Sequence, residues 1–427
     1  MNALGPKPQA TLTRREWQEF RIGAGGLTEA RSERVHALAV QGARSLRLPE
    51  TAVLTRTHKA LKAQQITEII SIPGLTLEIL PKIDGDDGAV RAALVRMLAV
   101  AYNLRVSEGE ISTLNTQHHD LLELLIRLFC ERLLIAIKHG LPRRYLELTD
   151  DLKFLRGRLD VKRQLTTHAS RPDRLACRFD ELSENTPLNR VLKVAVHRLR
   201  RISRAAENLR RLDELSSRLE MAENSPNPLA EPVQLDRTNT AFHSVYELAR
   251  LFLSGDWQTT TGGHAAGFAL LFAMNDLFEA YVGRKLKSAL APLSVRLQDR
   301  RHHALQGPTG GAFALRPDAV IETDSGTIIL DTKWKRLDRS LGENLGVSQS
   351  DVYQMMAYAH AYDAKRLLLI YPWHYELGAP GVHQSWRISG SDRVLEAASV
   401  DVGRTKDFSG QLAQLFESQC ARRHAEV

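Results

Sequence analysis

FALRPDAVIETDSGTIILDTKWK, residues Phe313 to Lys335, contains two strand-like runs around Asp324-Ser325-Gly326, a composition that favours a hairpin turn. Strand side chains alternate between faces. Any two- or four-residue loop therefore sets Asp318 on the same face as Asp331 and Lys333, and an odd loop separates them. Asp331 and Lys333 stand side by side, and Asp318 arrives from the neighbouring strand. A sheet face destined for burial calls for Leu, Ile or Val, because a buried unpaired carboxylate costs on the order of several kcal/mol. The cluster points to a cationic partner. Mg²⁺, or Mn²⁺ in its place, takes oxygen ligands from one or two carboxylates and completes its shell with water and phosphate. Lys333 beside such an ion is placed to orient or deprotonate a water and to offset charge on phosphorus. Spacing alone leaves an alternative open, in which Asp318 and Asp331 pair with Lys333, Lys335 and Arg316 on an exposed sheet face.

Neighbouring segments supply further polar groups. Asp351, Gln354 and Tyr358 fall on one helical face by their spacing, just after the hairpin, where that face can support the site. Upstream, a long helix is expected over Phe268 to Leu290, with Phe268, Leu271, Phe272 and Phe278 in its core-facing stripe. It would carry Glu279 toward the sheet as a further carboxylate, or leave it as an ordinary surface residue.

The rest of the 427 residues reads as two domains, 1–225 and 226–427, divided near the Pro- and Asn-rich stretch Ser225 to Pro232. The first is expected to be mixed α/β. Strands are read from Thr51 to Ile83 around a Pro73-Gly74 turn and over Phe154 to Val161, with helices over Ala89 to Tyr102 and His119 to Lys138. Thr186-Pro187 reads as an N-cap with proline at the first helical position. Leu188, Val191, Leu192, Ala195, Leu199 and Ile202 form the apolar stripe of that helix. Lys193, His197, Arg200, Arg201 and Arg204 then line its outer side, as a solvated face or as a surface for DNA phosphates. Residues 151–211 hold 16 Lys and Arg against 7 Asp and Glu, enough to account for the net charge of +8. A helix over His243 to Leu253 and a flexible loop over Thr259 to Gly263 precede the hairpin region.

Several classes are disfavoured. No apolar stretch approaches the ~20 residues that span a bilayer. Cys130, Cys177 and Cys420 are too few and too scattered for a disulfide framework, which fits a reducing cytoplasm. The adjacent residues of His118-His119-Asp120 and of His302-His303 point in different directions and make poor ligand sets. There is no G-x-x-x-x-G-K-[ST] for binding GTP and no G-x-S-x-G nucleophile elbow.

Pro317-Asp318 followed by Asp331-Thr332-Lys333 resembles the PD-(D/E)xK nuclease signature, and Gln354 with Tyr358 is similar to the QxxxY helix of one branch of that superfamily. Leu77 to Ile83, Leu155 to Leu159, Phe179 to Leu182, Thr186 to Arg190 and Met274 to Glu279 resemble the McrC family. That family supplies the nuclease subunit of the McrBC 5-methylcytosine-specific restriction system. The resemblance implies an α/β fold in which a mixed α+β N-terminal domain precedes a restriction-endonuclease-like domain. It also implies a Mg²⁺-dependent DNA endonuclease with Asp318, Asp331, Lys333, Glu279 and Gln354 as catalytic residues, the first two holding the metal. Arg200, Arg201, Arg204 and Lys335 are the candidate contacts to double-stranded DNA. The implied partner is an McrB-like AAA+ GTPase hexamer, which binds the GTP itself and receives the N-terminal domain. A non-catalytic activator of such a ring and a stand-alone repair nuclease are the alternatives.

Overall fold

The structure, a computed structural model, describes residues 10–23, 26–45, 48–64, 66–102, 121–171, 173–254, 268–308, 310–404 and 407–416. The chain divides into two compact units, Met1–Leu121 with Gly255–Val427, and Leu122–Ser254. The boundary expected at 225/226 falls inside the second unit, where the Ser225 to Pro232 stretch is irregular backbone. The expected loop at Thr259 to Gly263 and the His118-His119-Asp120 cluster lie outside the described residues.

The first unit opens with β1 (Ala10–Arg15), β2 (Glu19–Arg21), α1 (Glu29–Ser45), β3 (Leu54–Arg56), β4 (Ala60–Ala63), β5 (Ile66–Ile72), β6 (Leu75–Leu80) and α2 (Asp87–Ala101). β5 and β6 form the expected hairpin around Pro73-Gly74, with Ile72 opposite Leu75 and Gly74 at φ +81. Only glycine takes that backbone angle without steric cost. β1 joins β6 in parallel. One face of this sheet buries Ile66, Ile70, Leu77 and Ile79 with Val35, Ala39 and Ala43 of α1.

The second unit contains α3 (Leu121–Ile137), β7 (Arg144–Leu152), β8 (Arg158–Leu159), α4 (Val161–Thr167), β9 (Leu175–Ser183), α5 (Pro187–Ile202), α6 (Ala206–Arg218) and α7 (His243–Ser254). α5 begins as its sequence dictates, the Thr186 hydroxyl accepting from Asn189 N at 3.2 Å. Its stripe from Leu188 to Leu199 is buried. The helix stops at Ile202, so Arg204 lies beyond it rather than on its outer face. Glu123 explains the stop, since its carboxylate accepts from Ser203 Oγ at 2.8 Å and from Arg204 N at 2.6 Å. The strand expected over Phe154 to Val161 shrinks to the two residues of β8, and the long pair is β7 with β9. Most of their side chains are at least partly exposed, so neither strand shows the alternation that identifies a half-buried strand.

The first unit resumes with β10 (Phe268–Ala273), α8 (Met274–Ala289), β11 (Ser294–Leu297), β12 (His303–Gly307), β13 (Gly310–Ala314), β14 (Ala319–Thr323), β15 (Gly326–Thr332), α9 (Gln349–Ala361), β16 (Arg366–Pro372), β17 (Gly381–Arg387), β18 (Val394–Val400) and α10 (Phe408–Gln414). Two expectations are corrected. The helix read from Phe268 begins only at Met274, because Phe268–Ala273 pairs antiparallel with β5 and completes the sheet β1-β6-β5-β10. The run from Phe313 to Glu322 is broken: Phe313 and Ala314 belong to β13, which pairs with β12 instead.

The larger sheet runs β11-β14-β15-β16-β18-β17. β15, β16 and β18 are parallel, and the flanking pairs are antiparallel. Val320, Ile329, Leu367 and Leu369 bury one face against Met355, Tyr358 and Ala359 of α9. The alternate residues Ile328 and Leu330 are also buried, and α8 and α10 supply cover from the other side. A sheet covered by helices on both faces is an α/β fold, as the sequence implies. No helix among the described residues is long and apolar enough to cross a membrane.

Candidate active site

The β14–β15 loop decides the site. Thr323 pairs with Gly326, which makes it the two-residue loop Asp324-Ser325. The register continues through Ala319 opposite Leu330, so Asp318 stands beside Asp331 on the face toward α9. That face is apolar along the middle of the strands and becomes acidic at their ends.

Thr332 donates to Asp318 Oδ2 twice, from its backbone N and its hydroxyl, each at 2.7 Å. Both donors land on one oxygen and leave Oδ1 to other company. Asp331 is 2% exposed, and its Oδ2 lies 2.5 Å from Lys333 Nζ without the alignment of a hydrogen bond. Lys333 Nζ donates to Gln354 Oε1 at 2.9 Å and lies 3.7 Å from Asp351 Oδ1. Gln354 Nε2 donates to the Tyr358 hydroxyl at 2.7 Å, which donates to Arg316 O at 3.1 Å. This chain of donors fixes the Gln354 amide with its oxygen toward Lys333. Ser348 caps α9 and accepts from Asp351 N at 3.2 Å, which seats Asp351 in the first turn. There it meets Lys335 Nζ at 2.9 Å.

Titration follows this geometry. Burial, then the charges of Asp331 and Glu279, push the Asp318 carboxyl up to about 7. Burial also raises Asp331, against the pull of Lys333. Burial works against the Lys333 ammonium, but Asp331, Asp351 and Asp318 outweigh it, so the amine stays protonated above its usual range. In this arrangement Lys333 is placed to orient a bound group and to compensate its charge.

The structure gathers Asp318, Asp331, Lys333 and Gln354 directly. Glu279 lies near enough for its charge to raise both aspartates, and its Oε1 accepts from Gln298 Nε2 at 2.7 Å. Lys335 sits at the rim, paired with Asp351. Arg200 is an exposed residue of the second unit, paired with Asp213 across α5 and α6, and Arg201 lines the same polar cleft with His197 and Ser216.

Sequence reasoning missed two groups. Asp351 appeared only as part of a polar helix face, yet it bridges Lys333 and Lys335. Glu16 carries no sequence signal of its own. It is 2% exposed, accepts from Trp334 Nε1 at 3.0 and 3.2 Å and from Lys82 N at 2.9 Å, and burial pushes it up to about 7. It therefore anchors the residue between Lys333 and Lys335 to the end of β1. No local signal marks a partner 318 positions away in the chain.

Two carboxylates side by side, one held through Oδ2 by Thr332 and the other ion-paired with Lys333, offer all-oxygen donors that fit a divalent cation of the Mg²⁺ type better than a thiolate- or imidazole-binding metal. Among the described residues no group of three or more His, Cys, Asp and Glu side chains is arranged to enclose an ion. Such a cation would keep positions for water and phosphate.

The family described as McrBC 5-methylcytosine restriction system component matches residues 61–372. No curated protein matches the chain in sequence. A chain of the Thermococcus gammatolerans assembly of McrB AAA+ hexamers with bound McrC superposes with a TM-score of 0.73 at 21% identity, covering 96% of this chain and 100% of that one. A chain of the Thermococcus gammatolerans McrBC complex superposes with a TM-score of 0.53 at 24% identity, covering 66% of this chain and 88% of that one. At such identities the likeness is one of fold.

Proposed function

Because the chain belongs to the McrBC 5-methylcytosine restriction system component family, we propose that it is the DNA-cutting subunit, a Mg²⁺-dependent endonuclease that works with an McrB-like AAA+ GTPase hexamer and stimulates its GTP hydrolysis. The observation that carries this reading is the placement of half-buried Asp318 beside buried Asp331, with the Lys333 ammonium 2.5 Å from the second carboxylate. A structural ion pair does not need a second carboxylate set beside the buried one. A divalent cation does.

Asp318 and Asp331 would hold Mg²⁺, which when bound polarises the scissile phosphate and acidifies water. Thr332 keeps the Asp318 carboxylate turned so that one oxygen remains for the ion. Lys333 orients the attacking water and offsets the charge that grows on the phosphate oxygens. Gln354 holds the ammonium in place, and Tyr358 holds Gln354. Asp351 keeps a second cation, Lys335, at the rim, where the DNA backbone would pass.

The test is cleavage of methylated and unmethylated plasmid with Mg²⁺ and GTP, comparing wild type with Lys333→Ala, each with and without the AAA+ partner. Cutting only with partner, GTP and an intact Lys333 is the expected result. GTP hydrolysis that rises while no DNA is cut would replace the nuclease reading with that of a coupling subunit.

A further inference from the structure

β12 and β13 form a two-stranded ribbon that leaves the catalytic sheet after Asp299 and returns four residues before Asp318. Its base is fixed. Leu315 N donates to His302 O at 2.9 Å, the His302 ring packs on Tyr362 at 4.3 Å, and Arg301 is held by Asp299 at 2.8 Å. Its strands are bare: no residue of either is buried, and Leu305 and Phe313 are 58% and 74% exposed. A lone two-stranded ribbon is marginal in water, and exposed large apolar groups on one call for a covering surface. Phe313 also takes a positive φ of 58, a strained conformation for an aromatic residue, and its register sets it on the face opposite Leu305.

The charge around the ribbon selects what covers it. From Arg300 to Pro317 the chain has no Asp or Glu, and it holds Arg300, Arg301, Arg316, His302 and His303. Arg300 and Arg316 are exposed. The size fits as well. Two strands about 5 Å apart, with their side chains, fill a width of roughly 10–12 Å, close to the ~12 Å of the DNA major groove and too wide for the ~6 Å minor groove. Five residues at about 3.3 Å each give a reach of roughly 17 Å.

We propose that the β12–β13 ribbon enters the major groove of duplex DNA next to the scissile phosphate, with Leu305 against base edges, Phe313 against the sugars of the groove wall, and Arg300 and Arg316 on the flanking phosphates. This rests on reading the adjacent site as a DNA nuclease. It adds the element that sets the register of the duplex over Asp318 and Asp331. Leu305 suits the thymine methyl groups of that groove, and the arginines make the sequence-independent contacts.

The experiment measures binding of the full chain, with Ca²⁺ replacing Mg²⁺ to prevent cutting, to a short fluorescent duplex over a range of salt. Leu305→Ser with Phe313→Ser is expected to weaken binding about tenfold at every salt concentration with the salt slope unchanged. Arg300→Ala with Arg316→Ala is expected to lower the slope by about two. Dimethyl sulfate footprinting on wild type should protect guanine N7. Because all four side chains are exposed, unchanged thermal unfolding should show that the variants fold.

Binding by both variants equal to wild type overturns the ribbon and leaves the nuclease reading intact. Wild type that binds with these effects but cuts nothing under any condition overturns the nuclease reading and keeps the ribbon on DNA. Protection of adenine N3 alone moves the ribbon to the minor groove and overturns the assignment. Variants that keep duplex binding but lose GTPase stimulation place a protein partner there instead, which also overturns it, as does a wild type that binds no duplex with or without the AAA+ partner.

Discussion

The carboxylate-bearing end of the first unit's larger sheet and the β7-β9-β8 sheet of the second break opposite rules of packing. In the first, Asp331 is drawn out of water beside the half-buried Asp318. In the second, apolar side chains are left in water: Tyr145 is 72% exposed and Leu148 39%, and Tyr145 stands directly across from Leu182 at 48%. Each arrangement lowers the stability of the isolated chain. The missing compensation sets a different test in each case. Adjacent carboxylates are relieved by a cation and by polar donors, which is a matter of chemistry. Uncovered apolar strands are relieved by another apolar surface, which is a matter of assembly.

The largest expected effect breaks the first half of this contrast. Asp318→Ala or Asp331→Ala should lower plasmid cleavage at least about a thousandfold while assembly with the AAA+ partner and GTPase stimulation stay near wild type. Asp318→Asn should cut equally poorly, yet melt about 2 °C or more above wild type in chelator, because it removes one of two adjacent repelling carboxylates. Retained cleavage would remove the metal site from the mechanism. Lower stability of Asp318→Asn would make the pair a structural element instead.

A smaller effect tests the second half. Tyr145→Ser with Leu182→Ser should leave the melting temperature unchanged and weaken binding to the AAA+ partner about tenfold, read by titration against GTPase stimulation. If the partner binds the variant as tightly as wild type, the exposed sheet is not the assembly surface. Cleavage of DNA by the assembled variant at saturating partner should match wild type, which separates the two regions.

What could be read from the sequence follows the same division. The site hairpin was legible because side-chain parity is local: Asp318, Asp331 and Lys333 are related by a two-residue loop. The start of α5 was legible for the same reason, since Thr186 and Pro187 are both at the helix end they specify. Phe268–Ala273 was misread because a short, continuous apolar run serves a buried strand and a buried helix equally, and its pairing with β5 lies about 200 residues away in sequence. β7 and β9 were invisible because an exposed strand has no burial pattern. Glu16 went unnoticed because its meaning depends wholly on Trp334. Local grammar reveals the chemistry here. Long-range pairing, which no single stretch encodes, decides which elements share a unit.

The smallest effect asks whether buried charge by itself marks function. Glu68 of β5 is fully buried on the apolar face toward α1, and neither of its oxygens has a hydrogen-bond partner among the described residues. Burial pushes its carboxyl up to about 8 from the ordinary 4.5. The native state therefore holds a proton that the unfolded chain releases above about 4.5. Glu68's contribution to stability is complete below that pH and is lost progressively as pH rises to about 8. Glu16 and Asp318, both raised to about 7, tilt the curve in the same direction over a narrower span. Glu68→Gln, which is neutral at every pH, should flatten the fall in melting temperature between pH 5 and 8.5 without abolishing it, and should leave cleavage unchanged. If the whole slope survives in Glu68→Gln and disappears in Asp318→Asn, the burden of buried charge lies entirely at the site. If Glu68→Gln also loses cleavage, then this acid at the heart of the N-terminal sheet belongs to the working machinery, and the contrast between a chemical region and a merely structural one no longer holds for the first unit.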